Sequence, residues 1–182
     1  MFQDKRSKKV IFVAHCILNQ NTKLDMCAHY PGPIKETIQY LMDQGYGIIQ
    51  LPCPELMYLG LARQTDEAAH PTVEQEDTRI ARRMREDKAR ALFQQIADDI
   101  LFQIEEYRQN GFEVAGLVGI NGSPTCGVDT TWAEDEERKG YGVFVGLLHD
   151  MLESKGIQLK MTGIRAIDPD AAVEAVRGMV KR

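Results

Sequence analysis

Four cysteines, Cys16, Cys27, Cys53 and Cys126, stand in this chain, and the places of three of them point to chemistry. Cys16 follows the run Lys9-Val10-Ile11-Phe12-Val13-Ala14, Cys53 follows residues 47–51, and Cys126 lies shortly after residues 114–120. Each run is short, largely apolar and rich in β-branched residues, which predicts a strand covered on both faces, as in a parallel sheet. Parallel sheets bind ligands beyond the carboxyl ends of their strands. Three thiols far apart in the chain are therefore expected at one rim. Such a trio suits a soft metal centre, whether zinc, copper(I) or an iron–sulfur cluster, and three protein ligands leave one coordination position open. Their separations rule out the local CxxC pairs of a zinc ribbon, so the fold itself has to build the site. A single buried cysteine usually packs as a small hydrophobe. Three at three strand ends favour the functional reading.

The remaining elements follow from periodicity. Ile34, Ile38, Leu41 and Met42 recur at helical spacing before Gly45, and one long amphipathic helix is expected from Asp77 or Thr78 to Gly111. Residues 142–155 read as a further helix and residues 157–164 as a fourth strand. Asp168 then caps a last helix that has Pro169 in its first turn. The alternation of strand and helix predicts one α/β domain over residues 1–182, a three-layer Rossmann-like or flavodoxin-like fold with a mainly parallel sheet of four or more strands. Residues 56–77 and 121–139 are longer than a compact connection needs. Stretches of that kind are commonly functional or mobile.

Composition narrows the classes. With 182 residues, 43% hydrophobic and 27% charged, the chain is long enough for one core and has ordinary globular character. No apolar run approaches the roughly 18 residues of a bilayer span, and residues 1–10 are too short and charged for a signal peptide, so a cytoplasmic protein with no membrane partner is expected. The net charge of -5 supplies no global field for nucleic acid. Arg79, Arg82, Arg83, Arg85, Lys88 and Arg90 form a basic run that would suit the phosphates of a thiolated tRNA, but Glu76, Asp77, Glu86 and Asp87 dilute it. A small ligand is expected rather than RNA. No GxGxxG or Walker pattern is present.

Three segments carry a family resemblance. Cys16-Ile17-Leu18-Asn19, Pro52-Cys53-Pro54-Glu55 and Ser123-Pro124-Thr125-Cys126-Gly127 resemble, in order, the three signatures of the thiouracil desulfurase (TudS) family. The resemblance spans about the first 130 residues. It implies that Cys16, Cys53 and Cys126 hold a [4Fe-4S] cluster whose fourth iron takes the sulfur of a thiolated nucleobase, with Glu55 and Ser123 acting in catalysis. Between these signatures the chain departs from the family. Residues 19–25 lack the family's Gly-rich and Arg-Tyr-Asp-Gly stretch, and residues 57–64 lack its glycine pair and Pro-Arg pair. The cluster ligands carry over; the substrate pocket does not.

The expectation is a non-redox, iron–sulfur-dependent desulfurase for a small thiolated substrate. The open iron would polarise the thiocarbonyl, Glu55 would activate water, and Ser123 would hydrogen-bond the substrate or relay a proton. His15, Asn19 and Asn21 are candidate substrate contacts. Trp132 is a candidate stacking partner or simply packing, Gly122 and Gly127 would allow backbone approach or positive φ, and Cys27 reads as part of a packed loop. The alternative is a non-catalytic iron–sulfur or metal carrier or sensor using the same thiols.

Overall fold

The computed structural model describes residues 4–181. Strands β1 (Lys9–Val13), β2 (Gly47–Gln50), β3 (Glu113–Ile120) and β6 (Met161–Ile164) form one sheet in the order β2-β1-β3-β6, and every pair in it is parallel. The predicted three-layer α/β fold is what the chain adopts. Helices α2 (Lys35–Asp43) and α7 (Pro169–Val180) cover one face, while α5 (Asp87–Gln109) and α6 (Val143–Ser154) cover the other. Asp168 caps α7 as expected, its side chain accepting the amide of Ala171. Among the described residues no helix is long and apolar enough to cross a membrane.

A register shift keeps both cores filled. Val10 pairs with Val114 but Phe12 with Leu117, so β3 carries one residue more than β1 across that interval. The extra residue resets the alternation, turning Leu117 to the face of Phe12 and Val118 to that of Val13.

Three expectations need correction. The long helix is two: α4 (Val73–Arg83) and α5, separated at residues 84–86, with Glu86 in extended conformation. The first of them is capped by Thr72 and not by Asp77 or Thr78, because Thr72 and Gln75 close a reciprocal capping box. The fourth strand is also shorter, residues 161–164, since pairing with β3 begins at Met161 and only the Lys160 carbonyl before it joins in, accepting the Leu117 amide. Finally, the two long connections are structured. Residues 56–77 contain most of α3 (Pro54–Leu59) and the start of α4, and residues 121–139 fold into the hairpin β4 (Thr130–Ala133) and β5 (Glu136–Lys139).

Candidate functional site

Strand order reverses between β1 and β3, since β2 follows β1 on one side and β6 follows β3 on the other. Beyond the carboxyl ends of these strands lies a cavity of about 400 Å³. Cys16, Cys53, Cys126, Glu55 and Ser123 all line it. This is the switch-point crevice that open α/β sheets use for ligands. Cys27 lines it too, so the loop that carries the fourth cysteine forms part of the cavity wall.

Each motif is shaped by its own turn. Cys16 lies in α1 (His15–Leu18), a single turn just beyond β1. Gln20 holds it there, donating to the Cys16 carbonyl at 2.9 Å and accepting the His29 amide at 3.1 Å, which draws the following loop over the site. Cys53 is the N-cap of α3, and its sulfur accepts the Leu56 amide at 3.4 Å. Cys126 sits in a turn organised by Ser123. The Ser123 hydroxyl oxygen accepts the amides of Thr125 at 3.2 Å and Cys126 at 3.0 Å. Both lone pairs are thereby engaged, and the hydroxyl hydrogen is left to donate. The expected glycines are required in this turn. Gly122 has φ +82°, and a Cβ on Gly127 would press on the Ser123 and Thr130 carbonyls.

The residue that sequence reasoning missed is Arg63. It is 1% exposed, and all five of its N–H donors are used. Nε donates to Glu55 Oε2 at 3.2 Å; Nη1 donates to the Gly60 and Leu61 carbonyls; Nη2 donates to the Thr22 carbonyl at 2.6 Å and reaches Cys53 Sγ at 3.6 Å. Arg79 fastens this loop by donating to the Arg63 carbonyl at 2.8 Å while pairing with Glu76. A loop arginine has no periodic signature. Only its position a few residues after Pro52-Cys53-Pro54-Glu55 hinted at it.

Asp77 is the second omission, and here a signal existed. The Thr72-Val73-Glu74-Gln75 box starts α4 at Val73, which puts Val73, Asp77 and Ile80 on one helical stripe, and all three line the cavity. Opposite them Trp132 of β4 donates its indole N–H to Thr78 at 3.0 Å and forms part of the wall.

Burial dominates the electrostatics. It pushes the Cys16 thiol up to about 12, raises Cys53, and raises Cys126 well above its ordinary value. Glu55 adds to the upward shift of each, and the thiols repel one another as anions. Burial also raises the Asp77 carboxyl to about 7, with Glu55 as the next cause. Among the described residues no three His, Cys, Asp or Glu side chains gather closely enough to hold a single metal ion.

His15, Asn19 and Asn21 are not among the residues lining the cavity. The His15 carbonyl accepts from Gln50, which ties β2 to α1, and burial lowers the imidazole pKa. Asn19 caps the turn at residues 20–22 by accepting from the Asn21 amide, and Asn21 donates to Asn19 and to the Pro31 carbonyl. Both asparagines hold the loop.

The chain is similar to a curated protein. The uncharacterized protein MJ0003 of Methanocaldococcus jannaschii is 33% identical over 123 residues, which cover 68% of this chain and 70% of the relative. No family model matches the chain, and no solved structure matches it.

Proposed function

The chain belongs to the family of the uncharacterized protein MJ0003, and for it we propose the activity of an iron–sulfur-dependent, non-redox desulfurase acting on a small thiocarbonyl compound such as a thiolated nucleobase. One observation carries the reading: three cysteines from three strand ends, with Glu55 and Ser123, line a single switch-point cavity. The resemblance of these five positions to the thiouracil desulfurase signatures supports it.

The donor set fits a [4Fe-4S] cluster held by Cys16, Cys53 and Cys126. Sulfur ligands are soft, and the Leu56 amide and Arg63 guanidinium donate to the Cys53 sulfur, as N–H groups do around cluster thiolates. Deeply buried thiols resist becoming anions unless a cation meets them. When bound, the cluster would supply an open iron as a Lewis acid for the substrate sulfur.

The protein's own residues do the rest. Glu55, oriented by Arg63, takes a proton from water as the oxygen bonds to the thiocarbonyl carbon. Ser123 donates its hydroxyl hydrogen to the substrate, since both its acceptor sites already hold backbone amides. The donor-only role narrows the earlier expectation, which allowed a proton relay.

The test is anaerobic purification, with iron and labile sulfide measured, followed by sulfide release from thiolated pyrimidines and small thioamides. Cys16→Ala, Cys53→Ala and Cys126→Ala should each abolish the iron–thiolate absorbance. Glu55→Gln should keep the iron and slow sulfide release by about 10²- to 10⁴-fold. Wild-type absorbance in all three cysteine variants ends the proposal, and a fully loaded protein that releases no sulfide from any compound favours a carrier or sensor.

A further inference from the structure

Several carboxylates line the cavity, and their partners separate them. Glu55 is paired with Arg63 and Glu137 with Arg165, while Glu74 is exposed. Glu76, next in the chain to Asp77, is buried and taken by Arg79 and Thr65. Asp77 is half-buried, faces the cavity, and among the described residues has no salt bridge and no hydrogen bond. It is the one shielded carboxyl of the wall without a partner.

The groups that face Asp77 order the cavity. Glu55 acts on it from α3, Lys23 from the loop after residues 20–22, and Glu74 and Glu76 from its own helix. Glu55 bears on all four thiols, Cys27 included, whereas Asp77 bears on Cys27. Both carboxyls line the cavity, with Glu55 in reach of the strand-end trio and Asp77 beside Cys27. A substrate whose sulfur lies at the thiols would present its neighbouring ring atoms to Asp77.

We propose that Asp77 is a second catalytic residue, a proton donor to the nitrogen adjoining the sulfur-bearing carbon, so that the substrate is a thioamide-type heterocycle accepted as its thiolate anion. The inference rests on the desulfurase reading and deepens it. Paired acid and base work needs one carboxyl that takes a proton and one that gives it: Arg63 orients Glu55 for the first task, and Asp77, unpartnered and raised by burial to about 7, suits the second.

The steps balance. Asp77 gives its proton to the nitrogen of –N=C(S⁻)–, which becomes –NH–C(=S)–. Water then loses a proton to Glu55 as its oxygen bonds to carbon, and the C=S π pair moves to sulfur. The C–S bond breaks with its pair on sulfur, and the hydroxyl O–H pair becomes the C=O bond as that proton returns to Asp77. Sulfur takes the proton held by Glu55 and departs as hydrosulfide. The sum is –N=C(S⁻)– plus water giving –NH–C(=O)– plus HS⁻, with no change in oxidation state.

Two measurements on the cluster-loaded protein test the role. The first is the pH–rate profile of sulfide release from a thiolated pyrimidine: wild type should lose kcat as pH rises above about 7, whereas Asp77→Asn should be about 10²-fold slower at pH 6 and lack that limb. Asp77→Glu should restore the limb. The second needs no turnover. Trp132 is the sole tryptophan and bonds Thr78, the neighbour of Asp77, so its emission should titrate near pH 7 in wild type and not in Asp77→Asn. An unchanged rate and profile in Asp77→Asn overturns the proposal, and so does an emission step that survives the substitution. Wild-type protein that releases no sulfide from any thiocarbonyl overturns the desulfurase reading and the role of Asp77 with it; the emission step alone would then report only an isolated acid.

Discussion

Arg63 Nε lies 3.2 Å from Glu55 Oε2. The same guanidinium reaches the Cys53 sulfur, so one buried cation aligns the proposed base with a proposed ligand two residues before it in the chain. Arg63 is thus a positioning residue that also holds the loop over the cavity through Thr22.

Removing it should be costly. Arg63→Ala leaves Glu55 shielded and unpaired, and loss of one partner of a buried pair costs about 3–5 kcal/mol. Arg63→Lys should recover little, because an ammonium cannot reproduce five fixed donors. Urea unfolding curves of the purified variants check this. A loss under about 1 kcal/mol for Arg63→Ala would show that the pair is dispensable.

Ser123 should report on both structure and chemistry. Ser123→Ala orphans the Thr125 and Cys126 amides and should lower stability by about 1–2 kcal/mol. Ser123→Thr keeps the acceptor oxygen and should keep most of that stability. Thermal unfolding of the two variants side by side tells them apart; equal stability would mean that the hydroxyl does not organise the turn.

Asp77 makes stability depend on pH in an unusual direction. Its carboxyl is raised from 3.8 to about 7 on folding, so the folded state binds the proton more tightly than the unfolded chain. Stability from this group is complete below about 3.8 and is lost as pH rises to about 7. Asp77→Asn removes that loss. The variant should melt higher than wild type at pH 8 and close to it at pH 4, a comparison that differential scanning calorimetry makes directly.

The thiols give an alkaline counterpart in the metal-free protein. Cys16 rises from 9.0 to about 12 on folding, so its contribution is complete below pH 9 and falls away as pH climbs toward 12. The slope is about 1.4 kcal/mol per pH unit for one such group. Cys16→Ala should flatten the fall between pH 9 and 10.5. Iron loading of wild type should flatten it as well, since a metal-bound thiolate has no proton left to lose.

Much of this was legible beforehand. The strands are apolar runs buried on both faces, and the Asp168-Pro169 start of α7 has a local cause that any reading of caps would find. The cysteines at strand ends needed only the topology of a parallel sheet to converge. The break between Arg83 and Asp87 was harder, because Ile80, Met84 and Ile96 sustain a helical period across it while the capping box that sets the frame lies upstream at Thr72. The hairpin at residues 130–139 was hidden for another reason: Glu136-Glu137-Arg138-Lys139 is wholly charged and exposed, and it pairs through backbone alone. Arg63 was legible only as a position eight residues after Glu55. Its value comes from three carbonyls, a carboxylate and a sulfur supplied by separate stretches of chain.

The hydrogen bond from Trp132 to Thr78 joins the hairpin to α4. Those segments belong to different insertions on the basic sheet-and-helix plan, yet they meet as one enclosure. Because both supply the cavity wall, shortening either one would open the chamber to bulk solvent.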